Sequence, residues 1–242
     1  MILGCVADDF TGASDAASFL QAGGANVILS NGIPEREDED ILEAQTVIIA
    51  LKTRTCPPGE AVDRSMAAFS WLKAHGARML YFKYCSTFDS TESGNIGPVL
   101  DAALKRWDIP YTLLCPALLE NGRSVKDGNL YVNGVLLEDS PMKDHPLNPM
   151  RDSRLKYLME RQSRYPCFNL GAGELEREFR PYEKTGHYYL IPDYYEEKHG
   201  RMIAEQYGNL PLLSGGSGLL RMIARIPALR PPPFPNKNLL HS

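Results

Sequence analysis

Near-continuous apolar runs alternate along the chain with segments whose apolar positions recur at helical spacing. ILGCVA is followed by ASDAASFLQA, then NVILS, TVIIAL, a helical stretch through GEAVDRSMAAFSWLKAHG, MLYFK, IGPVLDAALKRW and TLLC. Short apolar strands separated by amphipathic helices predict βαβ units, and so an α/β fold with a mostly parallel sheet and helices on both faces. After Cys115 the rhythm changes, and LYVNGVLLEDS predicts an inserted β-hairpin with Asn133-Gly134 as its tight turn. SPMKDHPLNPM, with Pro141, Pro146 and Pro149, predicts extended chain wrapped over a surface. A helix is expected to resume near Asp152, capped by Asp152 or Ser153. CFNLGAGELEREF, a strand at HYYLIP, a helix through YYEEKHGRMIAEQYG and LPLLSGGSGLL complete the pattern. From Ile226 onward five prolines in seventeen residues exclude a helix or an interior strand.

Composition narrows the function. The 242 residues carry a formal net charge of −4, with Lys and Arg scattered, so no basic field exists to hold a nucleic-acid backbone. No run approaches the roughly eighteen apolar residues of a membrane span, and the N-terminus opens on a strand pattern, so a soluble cytoplasmic protein is expected. Cys5, Cys56, Cys85, Cys115 and Cys167 are odd in number and widely spaced, which reads as buried thiols of a reducing compartment. The five histidines are dispersed and no metal cage is expected. No G-x-S-x-G elbow is present, which disfavours covalent hydrolysis. GAGELE at 171–176 places Glu176 where a dinucleotide fingerprint needs its third glycine. The tyrosines of HYYLIPDYYEEKHG read as half-buried packing.

The chemistry concentrates behind the strands, where open α/β sheets bind ligands. Asp8, Asp9, Thr11 and Gly12 follow the first strand, and Lys52, Thr53, Arg54 and Thr55 follow TVIIAL. Lys83, Ser86, Thr87, Asp89, Ser90, Thr91, Gly94 and Asn95 follow MLYF, and Pro116, Asn121, Gly122 and Arg123 follow TLLC. Any one of these residues could be a helix cap or a solvated charge. Four consecutive strand ends together point to one crevice. Its cations suit a carboxylate and its hydroxyls and acids suit a polyol, a pairing found in a small sugar acid. GGSG at 215–218 follows the strand-like LPLLS and could offer backbone N–H groups to a phosphate.

Several long motifs carry a family likeness. ADDFTGASDAA, LKTRT, KYCSTFDSTESGNIGPV and GRSVKDGNLYVNGVLLEDSPMKDHPLNPM, in this order, resemble the N-terminal part of the four-carbon acid sugar kinases, of the type acting on 3-oxo-tetronate. The resemblance implies ATP-dependent phosphorylation of a terminal hydroxyl, with Mg²⁺, by two α/β domains, the first of which binds the acid sugar. On that likeness Asp8 and Asp9 serve as general base or orient the attacking hydroxyl. Arg54 and Lys83 meet the substrate carboxylate or transferred phosphoryl group, with Ser86, Thr87, Asp89 and Ser90 on substrate hydroxyls. Thr11, Gly12 and Arg123 complete the substrate set, and Gly215, Gly216, Ser217 and Gly218 belong to the nucleotide side. Residues 1–210 are then the acid-sugar domain, and 211–242 a remnant of the junction to a nucleotide domain. The expectation is a truncated kinase that lacks most of its ATP site. A non-catalytic acid-sugar binding module and a degenerate product prone to dimerise are the alternatives.

Overall fold

Each strand-to-strand connection fixes the face of the sheet on which its helix packs. The computed structural model describes residues 1–36, 39–177 and 186–225, so the proline-rich stretch from 226 lies outside the described residues. Its elements are β1 (Leu3–Ala7), α1 (Phe10–Ala22), β2 (Val27–Asn31), α2 (Glu39–Glu43), β3 (Thr46–Ala50), α3 (Pro58–Ala74), β4 (Met79–Lys83), α4 (Ile96–Arg106) and β5 (Tyr111–Leu113). There follow β6 (Arg123–Lys126), β7 (Asn129–Val132), β8 (Val135–Leu136), α5 (Leu155–Glu160), β9 (Cys167–Leu170) and α6 (Ala172–Leu175). The last are β10 (Tyr188–Pro192), α7 (Glu197–Tyr207), β11 (Leu212–Gly215) and α8 (Ser217–Ile223).

Five parallel strands run in the order β11-β4-β1-β3-β2, beside a parallel trio β5-β10-β9. The two sheets are stitched into one layer between β11 and β5. Thr112 Oγ1 donates to the Leu212 carbonyl at 2.8 Å, Ser214 Oγ to the Leu113 carbonyl at 2.6 Å, and Gly216 N to the Cys115 carbonyl at 3.0 Å. β1 and β3 are buried at every position, as strands covered on both faces must be.

Right-handed crossovers assign the helices. The chain moves one way from β1 to β2 and the other way from β3 to β4, so α1 and α3 cover opposite faces. α8 packs with α1, α7 packs with α8, α6 packs with α7, and α3, α4 and α5 form the other layer. The direction of winding thus reverses around β1 and β4, which opens a crevice beyond their carboxyl ends. The predicted α/β class, the parallel sheet and the two helical layers are all present.

Three details differ from the sequence reading. The insert is a three-stranded antiparallel meander, β6-β7-β8, because Asp127-Gly128 makes a second tight turn, with φ of 52° and 73°, ahead of Asn133-Gly134. The later helix starts at Leu155. Asp152 accepts from the Arg154 backbone N–H at 2.8 Å in a turn before it, while Ser153 Oγ accepts from Glu138 N. Tyr188 and Tyr189 are buried because β10 lies between β5 and β9, and Tyr194, just beyond β10, is buried where its backbone pairs with Val125 of β6. Beyond residue 210, β11 pairs in parallel with β4. Of the thiols, Cys5, Cys115 and Cys167 are buried, whereas Cys56 and Cys85 are half-exposed.

Candidate functional site

The turn leaving β1 carries two adjacent acids because each has a separate task. Asp9 is the N-cap of α1, with extended backbone and Oδ1 accepting from Gly12 N at 2.7 Å. Asp8, 5% exposed, accepts two hydrogen bonds from Arg54, at 2.9 Å from Nε and 2.7 Å from Nη2. The third guanidinium nitrogen of Arg54 reaches Asp9 Oδ2 at 2.9 Å. One arginine therefore bridges both carboxylates.

Backbone contacts aim that arginine. Thr53 N and Arg54 N both donate to the Asp8 carbonyl, at 3.0 and 3.2 Å, so the loop after β3 crosses the end of β1. Lys83, the last residue of β4 and 3% exposed, donates to the Tyr84 carbonyl at 2.9 Å. Its Nζ lies so close to Gly12 that a Cβ there would stand 3.0 Å from it and 2.5 Å from Asp9 Oδ1. Only glycine leaves this first helical turn open to the charged groups.

Burial pushes the Asp8 carboxyl above its ordinary value, while the hydrogen bonds and charge of Arg54 act against the rise. Burial works to lower Arg54, yet its hydrogen bonds and ion pairing with Asp8 outweigh that and hold the guanidinium charged. Two acids and two cations thus share one low-dielectric corner.

A cleft of about 230 Å³ opens onto this corner, lined by Asp9, Thr11, Gly12, Asp15, Arg54, Lys83, Cys85 and Ser86, with Leu118, Asn121 and Ser217 on the facing wall. It lies below the roughly 300–1,000 Å³ of pockets for drug-sized ligands, which suits a small polar molecule. The Cys85 thiol is pushed up by burial and by Asp89. Thr87 Oγ1 donates to Asp89 at 2.8 Å, so the Cys85 S–H is the donor in its own contact with Thr87.

The structure brings Asp8, Asp9, Thr11, Gly12, Arg54, Lys83, Ser86 and Ser217 together here. It turns others away. Thr87, Asp89 and Ser90 are buried and engaged internally, Ser90 Oγ donating to Gln162 Oε1 at 2.8 Å, so they shape the loop behind Ser86. Arg123 opens β6, bonds the Asn121 carbonyl and does not line the cleft. The glycines of GGSG are accounted for by packing. A Cβ at Gly215, Gly216 or Gly218 would fall 2.2, 2.5 or 2.4 Å from the carbonyl oxygens of Cys115, Pro116 or Ala117. Only Ser217 of that motif lines the cleft, and its buried hydroxyl has no hydrogen-bond partner among the described residues. Asp15 also lines the cleft; it stands one helical turn beyond Thr11, and that spacing is the signal of it in the sequence.

A charged cleft at the switch point of a doubly wound sheet lies where folds of this class bind small ligands. A family model described as the sugar-binding N-terminal domain matches residues 3–223, and the chain belongs to that family. A 3-oxo-tetronate kinase of Escherichia coli is 44% identical over 230 residues, which are 92% of this chain and 59% of that protein. The 3-oxo-tetronate kinase of Salmonella typhimurium is 43% identical over 92% of this chain and 54% of its own length. The chain thus spans little more than half the length of these curated relatives. Among solved structures, a Haemophilus influenzae DUF1537 protein matches with a TM-score of 0.88 and 39% identity, over 92% of this chain and 55% of that one. A Bordetella bronchiseptica DUF1537 protein, solved as a domain-swapped dimer with bound citrate, matches with a TM-score of 0.78 and 25% identity, over 93% and 56%. No helix among the described residues is long and apolar enough to cross a membrane.

Proposed function

We propose that this domain holds a four-carbon acid sugar, 3-oxo-tetronate or a close relative, as the substrate-binding half of an ATP-dependent kinase acting on the terminal hydroxyl. The observation that carries the reading is the bridging of Asp8 and Asp9 by Arg54, with Lys83 beside them, in a cleft sized for a small ligand. The names of the curated relatives support the substrate class, and the citrate held by the Bordetella relative supports an acidic ligand. A second copy of the chain is a candidate partner on the strength of the same relative's dimer.

The residues divide the work. Asp8 is committed to Arg54 on both oxygens, so it orients the guanidinium. Asp9 lines the cleft and its side chain is 29% exposed, with Oδ2 paired to Arg54, so it is the carboxylate within reach of the attacking hydroxyl's proton. Lys83 and Arg54 neutralise the sugar's carboxylate, and the Ser217 hydroxyl offers an unclaimed donor from the facing wall. Phosphoryl transfer needs little more from a protein than such positioning and charge neutralisation.

The described residues offer ATP no phosphate cradle, because the glycines of GGSG are filled by neighbouring carbonyls and α8 is a short helix. No group of three or more His, Cys, Asp or Glu gathers among them, so a Mg²⁺ here would need the nucleotide's phosphates as ligands beside one or two carboxylates. The nucleotide then belongs to the part of the relatives' length that this chain does not match.

Thermal denaturation of the 242-residue chain with erythronate, threonate and 3-oxo-tetronate, each with and without Mg·ATP, tests the reading. A ligand at 100 times its Kd adds about 2.7 kcal/mol, a rise on the order of 5–10 °C at this size. A shift with an acid sugar is expected, and its absence with all three overturns the assignment. Where turnover is measurable, Asp9→Asn abolishes it while leaving acid-sugar binding largely intact; unchanged turnover removes Asp9 from the mechanism.

A further inference from the structure

Asn95 lies outside the cleft, immediately before α4 at the end of the loop from β4, and is 6% exposed. Its Nδ2 donates to three carbonyls of the other loop, those of Thr53 at 2.5 Å, Arg54 at 3.2 Å and Cys56 at 3.0 Å. An amide has two N–H donors, so one of them is shared between carbonyls. Its Oδ1 is buried with no partner among the described residues. Leaving a buried acceptor unmet is unfavourable, so the three contacts on the nitrogen must outweigh it. The opposite side of the same loop is held by the Asp8 carbonyl, which accepts from Thr53 N and Arg54 N. The peptides flanking the Arg54 Cα are thus fixed from both sides, and with them the direction of the side chain that bridges Asp8 and Asp9.

We infer that Asn95 is a positioning residue for Arg54: it ties the loop after β3 to the loop after β4 and sets the guanidinium where the two carboxylates and the ligand meet. The inference rests on the acid-sugar reading of the cleft. Among the described residues, the Cys56 thiol is the one other side chain that bonds any of these carbonyls, that of Thr53, and it is a half-exposed and weak donor. An aspartate at 95 would set carboxylate oxygen against carbonyl oxygens and could not substitute. A serine keeps one donor.

The test is a double-mutant cycle in the 242-residue chain, with erythronate, threonate and 3-oxo-tetronate as probes. Arg54→Lys retains a charge beside Asp8 but cannot bridge both acids. If Asn95 acts through Arg54, Asn95→Ala weakens binding about tenfold, Arg54→Lys about 30-fold, and the double variant no more than about twofold beyond Arg54→Lys alone. Asn95→Ser falls between Asn95→Ala and the parent, and it carries the cycle if the alanine variant does not fold. Losses that multiply to about 300-fold, or an unaltered affinity in Asn95→Ala, overturn the inference. Amide exchange supplies the second readout. Thr53 and Arg54 amides exchange faster in the Asn95 variant while β1 and α3 keep their protection, and unaltered exchange at those two amides also overturns it. A parent chain that binds none of the probes defeats the acid-sugar reading, and the exchange data then decide the role of Asn95 alone.

Discussion

Two strand-to-helix turns meet at the same edge of the sheet, residues 8–12 after β1 and residues 215–218 after β11, and both are marked by glycine. They use it in opposite ways. A Cβ on Gly12 would strike the charged tips of Asp9 and Lys83, so that glycine clears space beside a cluster of ions facing the cleft. A Cβ on Gly215 would strike the backbone carbonyl of Cys115 and the hydroxyl of Tyr81, so that glycine lets two strands close where their ladder is incomplete. The first turn is an electrostatic device and the second a packing device. A glycine-rich turn behind a strand is therefore no sign of a phosphate cradle until the atoms facing each missing Cβ are known.

The contrast can be broken most forcefully at Arg54. Its removal in Arg54→Ala leaves Asp8 buried without its hydrogen-bonded partner, with Lys83 as the remaining cation nearby, and the expected loss is about 3–5 kcal/mol in denaturant unfolding. Adding Asp8→Asn should restore much of that stability, because no charge is then stranded. A loss below about 1 kcal/mol would mean that the cluster does not hold the turn.

Next in size is Gly215→Ala, which forces apart two backbones and should cost about 1–3 kcal/mol while acid-sugar affinity stays within error of the parent. An affinity loss with intact stability would reassign this turn to ligand binding. Gly12→Ala should do the reverse. Its obstacles are side-chain tips that can move, so disturbance of the Asp9 cap lowers stability by about 1 kcal/mol. Binding, measured by titration calorimetry, should nevertheless weaken clearly, since Asp9 and Lys83 are displaced together.

The smallest effect concerns acid. His199 on α7 is fully buried beside α8, and burial lowers its pKa from the ordinary 6.5, with neither ring nitrogen finding a hydrogen-bond partner among the described residues. The unfolded chain then takes up a proton that the folded chain refuses. This contribution to stability is full above pH 6.5 and is lost as the pH falls below it towards the folded value. The melting temperature should drop between pH 7.5 and 5.5, and His199→Leu should flatten that slope. A slope unchanged by the substitution would move the acid sensitivity elsewhere.

Much of this was legible in the chain itself. Apolar runs such as TVIIA and LGCVA can only be strands covered on both faces, and the alternation with helices fixes a parallel sheet through right-handed connections. The placement of Asp8, Asp9, Arg54 and Lys83 at one edge follows from that topology. The Asp127-Gly128 turn is equally visible in the sequence, but Asn133-Gly134 alone suffices to account for a hairpin.

Other features depend on distances between segments far apart in sequence. Thr87, Asp89 and Ser90 look like site residues beside Ser86, but the loop folds inward because Phe88, at a φ of 64°, buries its ring against Tyr84. The clamp from Asn95 to residues 53–56 and the packing of GGSG on residues 115–117 join positions about forty and a hundred residues apart. The sequence by itself determined the fold class, the edge of the sheet where chemistry lies and the charges available there, because periodicity and strand order are local properties. Only the tertiary structure decided which of those groups face the cleft and which glycines serve packing, because those outcomes turn on a few tenths of an ångström between distant parts of the chain.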